Sequence, residues 1–178
     1  LQSQLNRLHE LQFQHEIKEL WLFTLNQKLT QSEQASANFE NRNFKIDGFR
    51  ISPKFSYLPA GNKQFDVFYS FKNAETSLGE FALLEQHELG LSFNVNNQQK
   101  YSLRGELKYI KNAIEGNANS PVAFQLLEGL QPDDNFTWSL FLQKRLSNFL
   151  DVNITYLGRK TPQNATIHTG NIQLRAFF

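Results

Sequence analysis

The sequence predicts an all-β fold: an antiparallel transmembrane β-barrel of about eight strands, with a short N-terminal helix or lead-in and a short helix in a loop. Three observations predict it. Segments of about ten residues alternate apolar and polar side chains, the mark of strands with one greasy and one wet face. The connections between them alternate short and long. The last segment, 166–178, keeps the alternation to an aromatic end. Phe178, Ala176, Leu174, Ile172 and Gly170 share one face; Arg175, Gln173, Asn171 and Thr169 share the other, with Phe177 the exception.

Composition narrows the class. The 178 residues suffice for one domain. With 18 basic and 17 acidic residues there is no concentrated basic footprint, and a nucleic-acid partner is not expected. The absence of Cys excludes disulfides, thiolate metal sites and Cys nucleophiles. Apolar runs fall far short of the ~18 residues a spanning helix needs. A membrane barrel is compatible with that, because only every second residue faces lipid. The chain begins at Leu1, has no Met and carries no signal-peptide pattern, so it reads as a mature or truncated piece, such as the end of a longer protein.

Residues 1–16 form the lead-in. Leu1, Leu5 and Leu8 fit a helical face. Leu11 and Phe13 continue the period-2 phase of Ile17, Trp21 and Phe23, which gives a second reading as the tail of a preceding strand. The barrel proper spans 17–178. Its first strand covers 20–29, followed by a polar loop at 31–43. The next covers 44–58. There Phe49, Ile51, Phe55 and Tyr57 share a face, Phe44 and Ile46 fall out of phase, and a bulge is expected near Asp47-Gly48. Pro53 removes a ladder donor within it. After a turn at 59–62, Phe65, Val67, Tyr69 and Phe71 alternate with Asp66, Phe68, Ser70 and Lys72.

A connection at 73–86 leads to Leu89, Leu91, Phe93 and Val95, then a turn at 96–99. Tyr101, Leu103, Leu107 and Tyr109 then oppose Ser102, Arg104, Glu106 and Lys108. The longest connection, 112–135, holds Ser120-Pro121 as N-cap and first helical residue and Gly129 as stop, predicting a helix over 121–128. Phe136, Trp138, Leu140 and Leu142 form a strand; 147–148 turns; Val152, Ile154 and Tyr156 form another. The last loop is 158–165.

The pooled faces are distinct. Trp21, Phe23, Tyr57, Tyr69, Tyr101, Tyr109, Trp138, Tyr156 and Phe178 belong to the apolar set and are expected to face lipid as an aromatic belt. Arg50, Lys54, Arg104, Glu106, Lys108, Arg145, Asp151 and Arg175 belong to the other, an expected lumenal network of paired charges. A soluble barrel with an apolar ligand inside would show the same periodicity. Aromatic residues near strand ends, alternating connection lengths and the terminal Phe favour the membrane. In the loop helix, Val122, Phe124, Leu126 and Leu127 need a cover, either the barrel mouth or a partner.

Candidate chemistry is sparse. Ser139, Asp151 and His168 are the residue types of a hydrolytic set, without a nucleophile motif around them. His87 with Glu85 and Glu88, or Glu128 with Asp133 and Asp134, could hold a metal; a solvated loop edge is the default reading. His168 fits a strand end at the membrane interface. Asn164-Ala-Thr166 matches a glycosylation sequon. No catalytic residue, cofactor or metal is assigned.

The terminal strand resembles the closing strand of bacterial outer-membrane barrels. The runs SPVAFQLLEGLQPDDNFTWSLFLQKRL (120–146), LDVNITYLGRK (150–160) and IHTGNIQLRAFF (167–178) together resemble the C-terminal end of large outer-membrane or cell-surface proteins of Bacteroidota. The resemblance implies a cell outer-membrane location in contact with outer-membrane lipid, and delivery by barrel-insertion machinery that reads the C-terminal strand. Other envelope proteins would meet the loop at 112–135. The resulting expectation is a non-catalytic membrane anchor or barrel subunit of an envelope transport, secretion or assembly complex. The alternatives are the end of a channel-forming transporter, an outer-membrane hydrolase and a soluble ligand-binding barrel.

Overall fold

The computed structural model describes residues 2–36, 43–78, 80–97 and 100–177. Within them the chain forms nine strands: β1 (Gln2–Glu16), β2 (Trp21–Ser36), β3 (Phe44–Ala60), β4 (Lys63–Leu78), β5 (Ala82–Asn97), β6 (Tyr101–Gly116), β7 (Asp133–Ser147), β8 (Leu150–Lys160) and β9 (Ile167–Ala176). One helix, α1 (Pro121–Leu126), lies between β6 and β7. The strands make a single sheet in chain order, each antiparallel to the next. β1 and β9 are its two free edges. The terminal Phe178 lies outside the described residues.

Of the two readings of the lead-in, residues 2–16 take the strand and not the helix. From Gln2 onward they form β1, paired without a break to β2 from Gln2↔Ser36 to Glu16↔Leu22. The ladder satisfies every backbone group on that side, which outweighs the weak helical spacing of the leucines. The strand count is therefore nine, not eight. The strands are also longer than the alternation suggests: β1 to β7 each run 15 to 17 residues. Much of the expected loops at 31–43, 73–86 and 112–135, and the start of that at 158–165, is strand.

The reason is a change of sidedness along each strand. Toward the short-turn end, outward residues are apolar: Phe55, Phe65, Val67, Leu89, Leu91, Leu107 and Leu140 are all 39–52% exposed. Toward the other end the outward positions become Asn73, Glu75, Glu85, Lys111 and Asp134. There the inner face takes over the apolar set, and Phe44, Ile46, Ala74, Ala82 and Leu84 form a buried cluster. Phe44 and Ile46 are thus out of phase because the surroundings invert, not because of a bulge at Asp47-Gly48. The β2–β3 ladder runs through them unbroken. The β3–β4 ladder shifts register between Lys45 and Ile46, and again between Tyr57 and Ala60.

Register also reveals tilt. Directly paired residues run Trp21, Tyr57, Phe65, Phe93, Gly105, Leu140 and Tyr156 across β2 to β8. Trp21 opens β2 at the short-turn end, whereas Tyr156 stands six residues above Leu150 at the same end of β8. The climb is one residue per strand. A rise of ~3.3 Å for each ~4.8 Å step sideways is a tilt of about 35°, the inclination of barrel strands.

Three glycines make room for aromatic rings directly opposite: Phe68 over Gly90, Phe93 over Gly105 and Trp138 over Gly158. Pro53 pairs with Leu25 of β2, and the β3–β4 pairing is interrupted at 52–53, on the side where its missing N–H would be felt. The Ser52 hydroxyl bridges that interruption by donating to Ser70 Oγ at 2.8 Å. A side chain at 158 must evict the Trp138 ring. We expect Gly158→Val to cost about 1–3 kcal/mol in urea unfolding from detergent. Gly170→Val, with nothing within 4 Å of its Cβ, should cost far less.

Candidate functional site

The inner wall of the membrane-level half of the sheet is polar. Its side chains come from even positions of β1 to β6 and odd positions of β7 to β9, as the pairing dictates. All eight residues expected to be lumenal share this face of the sheet, Arg50 in the outer half beside Lys72. Lys108 Nζ reaches Glu106 at 2.9 Å and Glu88 at 3.6 Å and stands 5.8 Å from the Phe68 ring centre. Arg145 meets Asp151 at 3.6 Å near the short turns, and Lys28 meets Glu10 at 3.1 Å. Pairing is nevertheless partial. Among the described residues, Lys54, Arg104 and Arg175 have no carboxylate within 4.0 Å. An open hollow of about 620 Å³ lies along Asp66, Ser92, Arg104, Glu106, Ser139 and Gln143.

The loop between β6 and β7 folds onto the inner face of the outer half. Ser120 caps α1, its Oγ accepting from Ala123 N at 3.1 Å, and Pro121 is the first helical residue. The helix stops at Leu126, two residues short of the expected 128. Glu128 and Gly129 adopt φ of 54° and 78° and turn the chain away. Leu126 and Leu127, each 2% exposed, join the cluster of Phe44, Ile46, Ala74, Ala82 and Leu84, with Val122 packed against it. Each buried leucine contributes about 2 kcal/mol of apolar transfer. Phe124 remains exposed.

Polar contacts fix the same loop. Lys72 Nζ donates to Glu128 Oε1 at 2.6 Å and to the Leu126 carbonyl at 3.2 Å. Arg50 reaches Glu128 at 3.4 Å, and Arg159 donates to the Gly129 carbonyl at 3.3 Å. A left-handed φ at a non-glycine residue is costly, and here it aims a carboxylate at two cations. Buried amides hold the return: Gln86 donates to Asn112, Asn112 to the Gln131 carbonyl, and Asn135 to the carbonyls of Gln131 and Asp133. Sequence reading missed Lys72, Glu128 and these amides as one unit. The only signal is an amide at inward positions on three neighbouring strands.

Burial by itself would raise the Glu128 carboxyl. The hydrogen bond and charge of Lys72, then the charges of Arg50 and Lys108, outweigh it and hold the group below its ordinary value of 4.5. A lowered value means that this contribution to loop docking is complete above the ordinary value and is lost as pH falls through the lowered one.

The other residues singled out do not converge. Ser139 and Asp151 face inward at different levels, whereas His168 faces outward and stacks on Tyr156, ring centres 6.0 Å apart, with its Nδ1 2.8 Å from the Tyr156 hydroxyl. No hydrolytic set is assembled from them. His87 bonds outward to Glu85 and Tyr69, and Glu88 points inward to Lys108. Asp134 accepts from Tyr109 and Glu128 from Lys72. No metal-holding cluster occurs among the described residues. Asn164 donates to Thr161. The aromatic residues stand outward at two levels. Trp21 with Tyr57 (centres 4.7 Å apart) and Tyr101 lie near the short turns. Tyr69, Tyr109, Trp138 and Tyr156 lie farther up, with Phe23 and Phe55 between. Eight residues along a tilted strand separate the levels by ~20–25 Å, the height of a lipid-facing band.

No family model and no curated protein matches the chain. Solved structures do. The loop L8 deletion mutant of OmpT, an outer membrane protein of Vibrio cholerae, superposes with a TM-score of 0.65 at 10% identity, covering 96% of this chain and 53% of that one. The outer-membrane expressed OmpT of Vibrio cholerae gives 0.62 at 9% identity, over 97% and 56%. The in-vitro folded OmpT in its trimer form gives 0.62 at 10% identity, over 97% and 56%. The fold is that of an outer-membrane β-barrel. Within that fold the chain spans about half the length of the solved structures it matches, and its sheet is an open arc of the barrel wall.

Amide hydrogen exchange over 117–132 checks the role of Glu128. Protection should persist down to pH 4.5 and fall only in more acid solution. Glu128→Gln should reduce it at neutral pH and flatten its pH dependence.

Proposed function

We propose that this chain forms part of the wall of a water-filled channel for small polar solutes in the outer membrane of a Gram-negative cell. The observation that carries the reading is that three lumenal cations, Lys54, Arg104 and Arg175, have no carboxylate partner among the described residues. A dry, plugged lumen would leave each uncompensated, at several kcal/mol per ion. A wetted wall hydrates them. This favours the channel over a sealed membrane anchor. The outward band of aliphatic and aromatic residues meets lipid, and the infolded loop narrows the passage from the side of the long connections. The channel reading assigns no catalysis to this wall; solutes are sorted by size and by the field of the wall charges.

Planar-bilayer recording tests the reading. The assembled protein should give ohmic conductance with a preference for anions, and Arg104→Glu should move the reversal potential toward cations without abolishing current. A correctly folded protein with no conductance would contradict it.

A further inference from the structure

Two opposite charges line one hollow of the inner wall, and neither has an ionic partner. Asp66 on β4 and Arg104 on β6 border the same open space of about 620 Å³, with β5 between them. Among the described residues, no cation lies within 4.0 Å of Asp66 and no carboxylate within 4.0 Å of Arg104. The other carboxylate of the hollow, Glu106, is taken by Lys108 at 2.9 Å.

Asp66 is held in place. Its Oδ1 accepts from Gln64 Nε2 at 2.8 Å, and its Oδ2 accepts from Ser92 Oγ at 2.9 Å. Each carboxylate oxygen takes two donors, so each keeps a position open toward the hollow. Among the described residues nothing accepts from the Arg104 guanidinium, which leaves its planar fork for a carboxylate. A neutral solute would leave both charges to water. A simple anion would meet Arg104 and be opposed by Asp66. A zwitterion uses both.

Register fixes the spacing. Arg104 pairs with Asn94, and Asn94 pairs with Gln64, so Asp66 stands two strands across and two residues along. Two steps of ~4.8 Å and two of ~3.3 Å put the Cα atoms ~12 Å apart. With both side chains standing inward and ~2.8 Å for the hydrogen bond at each end, the ligand's own charges must lie ~6 Å apart. A free amino acid carries both charges on one Cα and is too short. An extended dipeptide spans up to ~7 Å, and a tripeptide ~10 Å. The rest of the wall suits a peptide. Phe141, directly paired with Arg104, is an apolar surface in a polar wall and is 43% exposed. Asn94 Oδ1 and Asn153 Oδ1, on the same wall, have no hydrogen-bond partner. Rotation of either amide presents that oxygen to a peptide N–H.

We propose that this hollow is a binding site for a zwitterionic dipeptide, its terminal carboxylate on Arg104, its terminal ammonium on Asp66 and one side chain against Phe141. The site deepens the channel reading and rests on its wetted lumen.

Two measurements on the protein extracted from membranes separate the site from the channel. Equilibrium dialysis with labelled alanylalanine should show saturable binding, weakened about tenfold or more by capping both termini as acetyl-alanylalanine-amide. The variants should sort by the charge they remove. Asp66→Asn should weaken alanylalanine about tenfold and leave acetyl-alanylalanine, which has no ammonium, unaffected. Arg104→Gln should do the same for alanylalanine and leave alanylalanine-amide unaffected. In planar bilayers alanylalanine should reduce the current in a saturable way. Binding without conductance would remove the channel reading and keep the site. Conductance without saturable binding would overturn the site and keep the channel. Equal binding of the capped dipeptide or of free alanine, or no response to either variant, would also overturn the site.

Discussion

The structure depends on a solvent that changes part-way along each strand. Near the short turns the outside of the sheet meets hydrocarbon and the inside is a polar wall. Beyond the level of Tyr69, Tyr109 and Tyr156 the outside meets water, and the inside becomes a packed interior around Leu84, Leu126 and Leu127. The backbone does not register the change, because the ladders run straight through it. Only the side chains do, exchanging apolar and polar faces while keeping the period of two. Charge follows the same rule. Glu75, Glu85 and Lys111 stand outward above the boundary, and Arg104, Glu106 and Lys108 stand inward below it; the inward charges above it, Arg50 and Lys72, meet Glu128.

The two halves stabilise each other. In the lipid-level half there is no hydrophobic drive for the inner wall to pack, and hydrogen bonding of the ladder holds it. In the outer half, the inner face gains a core by folding its longest connection onto itself. Lys72 sits at the join, its ammonium reaching up to Glu128 and the end of α1 while its backbone remains in the ladder of β4. The loop is therefore attached to the wall through Lys72 and Arg50.

Fold class was legible because period-2 alternation survives at almost every strand. Which residues face lipid was legible for the same reason: Phe65, Val67 and Tyr69 oppose Asp66, Phe68 and Ser70 without ambiguity. Strand length was not legible. Reading 73–86 as a loop treats Ala74, Ala82 and Leu84 as a break in the pattern, whereas they are the pattern inverted by a new solvent. Residues 1–16 allow both a helix and a strand reading for a related reason, since an edge strand such as β1 is exposed on both faces and its leucines fall in both phases. The expected lumenal charges lie on the inner wall, but their partners were not legible. Glu128 comes from a loop 56 residues beyond Lys72, and only the infolding of α1 brings them together. The strand neighbours of an alternating pattern can be read locally; a long-range ion pair depends on the path of a loop.

Single-cysteine spin labels on the outward face test the central claim, the solvent boundary, most directly. Labels at Leu89, Leu91 and Leu107 should collide with oxygen in the bilayer and be shielded from a water-soluble nickel complex. Labels at Glu85 and Lys111, on the same strands and the same face, should show the reverse. Equal access to the water-soluble reagent at all five would contradict a lipid boundary at the upper aromatic level, and with it the reading of this sheet as a membrane wall.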